Sequence, residues 1–145
     1  MKKNDTTGWK HGMSFKNSKA AAQNGFPHPI RYYDIHVYFN QKDPADVESI
    51  TLLREKIRNT FPTINVFGIV PYPIGPHPVG MFELHLRSPT DFAQFVPWFL
   101  INRGTHNALL HPNTQDPLKD HTTNAMWFGD KLPLYLDIFN PFMFK

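Results

Sequence analysis

Apolar and polar residues alternate along Arg31-Tyr-Tyr-Asp-Ile-His-Val-Tyr-Phe39, a run rich in aromatic and β-branched side chains, and the pattern predicts a strand. The period then changes. Asp43 followed by Pro44 signals a helix start, because the carboxylate can cap the first turn and proline is tolerated at the first helical position. Val47, Ile50, Leu53, Ile57 and Phe61 follow at helical spacing and predict one core-facing stripe, which Pro62 ends. Ile64–Val70 predicts a second strand. Four prolines between residues 71 and 78 remove too many backbone donors for regular structure, so this stretch is a stiff loop, and it carries His77. Met81–Arg87 alternates again as a third strand. Ser88-Pro89 repeats the cap-then-proline signal, with Asp91 placed to bond back to the cap. Phe92, Phe95, Val96 and Phe99 give this second helix its apolar side, with a kink expected at Pro97. Gly104 stops it, and Asn107–Pro112 is a short fourth strand.

The order β-α-β-β-α-β predicts one α+β domain, a ferredoxin-like βαββαβ sandwich over residues 30–145, with both helices on one face of the sheet. Met126, Trp127, Phe128, Leu134, Leu136 and Ile138 predict that the tail packs back on the domain. Residues 1–29 read as a flexible basic arm. Five of its residues are lysines against the single acid Asp5, which exceeds the chain's whole net charge of +3. The sequence pI of 9.2 is therefore a property of the arm, and the folded body lacks the basic stripe of a nucleic-acid binder.

Alternation also assigns faces, because side chains two apart on a strand share a side. Ile35, Val37 and Phe39, with Phe82, Leu84 and Leu86, form the side that the helices cover. The other side then gathers Asp34, His36 and Tyr38 from the first strand, Glu83 and His85 from the third, and His111 from the fourth. The first and third strands are central neighbours in this topology, so these groups converge. Imidazoles with a carboxylate suit Fe(II), leaving positions open for substrate and oxygen, and zinc accepts the same donors. The plainer readings of Glu83 and His85 are a wet outer face or a dimer contact. His11, His28 and His106 are expected at the surface.

The remaining composition narrows the classes. There are no cysteines, which excludes disulfides, thiolate metal sites and cysteine nucleophiles. No apolar run reaches the roughly 20 residues of a membrane span, and the N-terminus lacks a signal-peptide core. A cytoplasmic protein is expected.

Asp34-Ile-His-Val-Tyr-Phe39, Gly75-Pro-His-Pro78, Val96-Pro-Trp98 with Asn102-Arg-Gly104, and His111-Pro-Asn-Thr-Gln-Asp116 followed by Asp120-His-Thr122 together resemble the DOPA 4,5-dioxygenase family. The resemblance spans roughly residues 31–139. It implies a ferredoxin-like domain, a homodimer of the α+β barrel type, and extradiol cleavage of a catechol such as DOPA by molecular oxygen at a non-haem metal. By motif, His36 matches the second histidine of the family's His-x-His strand. His77 matches the Gly-Pro-His-Pro histidine, His111 that of His-Pro-x-Thr, and His121 that of the Asp-His-Thr turn. Two positions depart from the family: Asp34 stands where many members have the first histidine of His-x-His, and Gln115 where Gly is frequent.

The mechanism expected on this basis has Fe(II), or zinc in its place, held by His36 and His77, with His111, Asp34 or Glu83 completing the set. His121 is the candidate base and Tyr38 the second catalytic candidate. Arg103 is expected to pair with a substrate carboxylate, and Trp98 and His85 to contact the ring. Two other classes stay open: a non-catalytic dimeric α+β barrel that binds small aromatics, and a zinc-dependent hydrolase or isomerase on the same fold.

Overall fold

The computed structural model describes residues 25–140, so most of the predicted arm lies outside the described residues. The elements are β1 (Tyr32–Phe39), α1 (Pro44–Thr60), β2 (Asn65–Val66), β3 (Gly80–Leu86), α2 (Pro89–Asn102), β4 (Ala108–Asn113), α3 (Pro117–Asp120) and β5 (Met126–Phe128), followed by a 3-10 turn at Leu136–Phe139. The strands form one antiparallel sheet in the order β2-β3-β1-β4-β5. The first four positions follow the expected ferredoxin-like order, and the tail adds a fifth strand at the β4 edge.

Both long helices begin as the sequence predicts. Asp43 accepts from the Ala45 N–H, and the Ser88 hydroxyl accepts from the Asp91 N–H, each with proline in the first turn. Ile50, Leu53 and Ile57 from α1 and Phe95 and Phe99 from α2 are buried against Ile35, Val37, Phe82, Leu84, Leu86 and Leu110. Val47 was expected in this stripe but is 38% exposed, because it lies in the first turn of α1, before the helix reaches the sheet. α2 continues through Pro97, whose ring faces solvent.

The predicted second strand, Ile64–Val70, is broken. Val66 pairs with Leu84 and Val70 with Met81, so four steps on one strand oppose three on the other. That is a bulge of one extra residue. It frees the Phe67 carbonyl, which accepts from Arg54 Nε of α1 at 2.8 Å.

The sheet face opposite the helices is covered rather than wet. Tyr38, Val70, Met81 and Leu109 are buried there beneath Ile74, Val79, Trp127, Leu132 and Leu134. The proline-rich loop and the tail are tied together where Tyr135 N–H donates to Pro76 O at 2.9 Å. This cover seals the polar side chains of β1, β3 and β4 into an interior. Among the described residues, no helix is long and apolar enough to cross a membrane.

Candidate metal centre

Strand register arranges the covered face in rows. His85, Asp34 and His111 lie side by side across β3, β1 and β4, and the next row is Glu83, His36 and Leu109. Two further imidazoles arrive from outside the sheet. His77 is carried by the proline-rich loop, where a bridge to Ile74 and Gly75 at φ 57° turn the chain inward. His121 caps the end of α3. This short helix is held to β4 by Asp120, whose carboxylate accepts from both the Thr114 N–H (2.8 Å) and the Thr114 hydroxyl (2.7 Å). All four rings are buried, with His121 the most open at 9%.

The rings converge. Centroids of His36 and His77 lie 4.1 Å apart, and those of His111 and His121 4.0 Å apart. His36 Nε2 faces His111 Nε2 at 3.1 Å. His111 Nδ1 donates to Pro112 O at 2.8 Å and His121 Nδ1 donates to Pro117 O at 2.7 Å. Each backbone bond puts the ring hydrogen on Nδ1 and leaves the Nε2 lone pair for the interior, the usual way in which an outer contact orients a metal-binding imidazole. Tyr38 OH bonds His77 Nδ1 at 2.7 Å. Nitrogens bound to one ion at about 2.0–2.1 Å sit roughly 3 Å from each other, and the His36–His111 pair has that spacing.

Electrostatics support neutral rings. Burial, then the neighbouring His77, His111 and His121, hold the His36 pKa well below its ordinary value. Burial, then His111, push His121 down to about 3. A metal requires deprotonated imidazoles, so these rings need no proton loss to bind one. The donor set fits a borderline or hard divalent cation: His36, His111 and His121 each offer a nitrogen, all within 4.8 Å of one another. The His77 ring lies beside them, tilted 40° to that of His36.

Asp34, Glu83 and His85 form a second group within the same 4.8 Å limit. His85 Nε2 lies 2.8 Å from Asp34 Oδ1 and 3.2 Å from Glu83 Oε1, with its N–H directed at Glu83. Arg87 donates towards His85 Nδ1 at 3.3 Å. A guanidinium can only donate, so in the neutral ring Nδ1 accepts and Nε2 carries the hydrogen; protonation adds a hydrogen to Nδ1 and ends the Arg87 bond, but Nε2 keeps its own. His85 is therefore a donor to the carboxylates rather than a ligand. Burial would lower its pKa, but Asp34 and Glu83 outweigh it and raise it to about 9. Burial opposes ionisation of Asp34 as well, yet His85 beside it and His111 beyond hold that carboxyl below its usual range. Glu83 goes the other way: burial, then the Asp34 charge, raise it to about 7. The group backs the imidazoles closely, with Asp34 Oδ2 3.6 Å from His111 Nε2 and Glu83 Oε1 3.9 Å from His36 Nε2.

Of the residues the sequence singled out, the structure brings together Asp34, His36, Tyr38, His77, Glu83, His85, His111 and His121. Two do not join them. Trp98 lies on the helix side of the sheet, packed on Phe61 and Phe95 with Lys56 over its ring, so the sheet separates it from the histidines. Arg103 caps α2 and donates to His106 O at 3.0 Å. His106 was expected at the surface and is buried. It binds Ser49 Oγ through Nε2 at 2.7 Å and Tyr38 O through Nδ1 at 3.0 Å, and so staples α1 to the sheet. His28 is exposed as expected, and His11 lies outside the described residues. Sequence reasoning passed over Asp120 and Thr114 as positioning groups, although Asp120 stood in a quoted motif. It also passed over Arg87, which the alternation of β3 places on the same side as His85.

Fold and site thus define a ferredoxin-like α+β protein with an interior nitrogen and oxygen donor cluster suited to a metal ion. The Dopa 4,5-dioxygenase family model matches residues 33–138, and the chain belongs to that family. It is 33% identical over 112 residues to the DOPA 4,5-dioxygenase of Amanita muscaria, covering 74% of this chain and 49% of that protein. It is 42% identical over 113 residues to an uncharacterised 21.2 kDa protein of Botryotinia fuckeliana, covering 73% of this chain and 62% of that one. The chain thus spans about half to three-fifths of the length of these relatives. Among solved structures, a candidate dioxygenase of Nostoc punctiforme PCC 73102 superposes with a TM-score of 0.68 at 31% identity, covering 75% of this chain and 90% of that one.

Proposed function

We propose that the protein is an extradiol dioxygenase that opens the ring of a catechol with molecular oxygen at a non-haem Fe(II) centre. The observation that carries this reading is the inward pair of Nε2 atoms on His36 and His111, 3.1 Å apart, with His121 beside them and two of the three rings fixed through Nδ1. His36, His111 and His121 would hold the metal. When bound, Fe(II) supplies a Lewis acid that acidifies the catechol and brings it into reaction with oxygen.

The chain's own groups then have separable tasks. His77, held by Tyr38, closes the cluster on the loop side and excludes water. Glu83 is the better candidate base than His121, because the His121 Nε2 faces His111 within the imidazole set. Glu83 Oε1 lies beside His36, its pKa is raised to about 7, and it is one of the more open members of the site. A base tuned near working pH takes a catechol proton most effectively. The His85 N–H holds that oxygen in place.

The test is to load the purified protein anaerobically with Fe(II), add a catechol, and admit oxygen. Uptake of one O2 per catechol with a yellow ring-opened product is expected, and loss of both after chelation. Metal binding without oxygen uptake for any catechol would overturn the reading in favour of a zinc-type hydrolase. Catechol binding that is indifferent to chelation would favour a metal-free binder.

A further inference from the structure

One charged side chain on the covered face has no part in the chemistry above. The β1–β3 register, carried one step past Tyr33 and Leu86, sets Arg87 beside Tyr32 in the row next to His85 and Asp34. The Arg87 guanidinium carbon lies 5.1 Å from the Tyr32 ring centroid. The Tyr32 ring in turn lies 4.6 Å from His85, and Phe67 approaches His85 from the other side, also at 4.6 Å. Arg87 itself is exposed. Among the described residues it pairs with no carboxylate; its contacts are His85 Nδ1 and the Tyr32 ring.

This sets an exposed cation at the edge of the cluster. Glu83 and His85 are the sheet residues of the cluster that reach solvent, at 8% each. Arg87 therefore flanks the side by which a ligand meets them. The Tyr32 ring and His85 hold the guanidinium on one side, and its exposure leaves the remaining N–H donors free to meet a carboxylate, which a guanidinium can bind in two parallel bonds. Two residues along a strand amount to about 7 Å. That distance matches the span from a bound aromatic ring to a carboxylate at the end of a two- or three-atom side chain.

We infer that Arg87 is a specificity-determining residue which binds the carboxylate of an aromatic substrate whose ring sits at the histidine cluster. The inference rests on the catechol reading above. It makes Arg87, rather than Arg103, the partner of the substrate's negative end.

The test uses the zinc-loaded protein, which binds without turning over, and two probes of matched ring and chain. One is 3-(3,4-dihydroxyphenyl)propionate and the other is 4-ethylcatechol. In Arg87→Gln the Kd of the propionate is expected to rise about tenfold, in keeping with loss of an exposed charge-assisted pair. The Kd of 4-ethylcatechol is expected to stay within about twofold on the same grounds, and Arg87→Lys to recover part of the loss because it keeps the charge without the fork. Equal weakening of both probes in Arg87→Gln, or no change in either, overturns the role of Arg87 while leaving the catechol site standing. If the wild-type protein binds neither probe, the catechol reading fails and takes this inference with it.

Discussion

Replacing His36 with leucine separates a ring kept for chemistry from one kept for stability. His36 is 2% exposed, and its Nδ1 is buried without a hydrogen-bond partner. Its Nε2 faces the nitrogen of His111, which is itself held as an acceptor by the Pro112 bond. A buried polar atom left unpaired costs about 1–3 kcal/mol. Leucine has a similar volume and no polar atoms, so it removes that cost, but it also takes away the partner of the buried His111 Nε2, which then carries a cost of the same size. The two offset, and after about 1 kcal/mol for imperfect repacking the metal-free variant should be less stable than the metal-free wild type by only about 1 kcal/mol. For a domain of this size that is a Tm decrease of about 4 °C.

Metal widens the gap. An ion present at about 100 times its Kd stabilises the native state by about 2.7 kcal/mol, or roughly 10 °C. The wild type should gain that shift and His36→Leu should lose it. Thermal denaturation in EDTA and again with excess divalent metal, on both proteins, gives the four numbers. A leucine variant that melts more than about 10 °C below wild type in EDTA would show that His36 is an ordinary structural residue. One that keeps the full metal shift would show that the ion binds elsewhere.

Further expectations concern the neighbours. Tyr38→Phe keeps the ring packed and removes the hydroxyl bonded to the buried His77 Nδ1, so urea denaturation should show a loss of about 1–3 kcal/mol, while metal affinity in chelator competition should fall less than it does in His36→Leu. Without metal, stability should peak between about pH 6.5 and 7 in EDTA melts across the pH range. His36 and His121 fold with pKa values below 6.5, so the unfolded chain binds more protons as pH falls beneath that value and stability is lost towards acid. Glu83, raised to about 7, offsets part of this limb, whereas the contribution of His85 is complete below pH 6.5 and is lost as pH rises through 9. Ser49→Ala breaks the bond to His106 and should cost about 1 kcal/mol in urea denaturation while leaving metal affinity unchanged. In Gly80→Ala the new methyl would meet the Phe39 ring at 2.8 Å and Val70 O at 3.1 Å, so a loss of about 1–3 kcal/mol is expected by the same measurement.

The three long strands were legible because a period of two needs only a few residues to declare itself. Once β1, β3 and β4 were read, their facing sides followed, and with them Asp34, His36, Glu83, His85 and His111. The helices were legible from Asp43-Pro44 and Ser88-Pro89, where cap and stiffened backbone coincide. The bulge after Val66 was not, because Ile64–Val70 keeps strand composition while its pairing partner, β3, decides the register. Trp98 was misassigned because a helix turns a residue through every direction, and only the packing of Phe61 and Phe95 fixes which side it takes. His106 was missed because the hydroxyl that satisfies it lies on Ser49, 57 residues earlier in the chain. Long-range pairing leaves no local trace.

The prolines show how deep the site is written into the backbone. Pro112 cannot donate to a sheet, and it is tolerated in β4 because β5 pairs that strand only from Ala108 to Leu110. Its carbonyl is the acceptor that sets His111, and the carbonyl of Pro117, at the first turn of α3, sets His121. Proline fixes φ, so each acceptor is placed on a stretch of chain with one soft angle removed. His77 follows the same logic from the loop, between Pro76, whose carbonyl is anchored by Tyr135, and Pro78. Residues read from the sequence as turn formers thus also act as rigid mounts for the imidazoles that do not rely on the middle of a strand. His36, in the centre of β1, is held by the sheet itself, and its Nδ1 is the cluster nitrogen buried without a hydrogen bond.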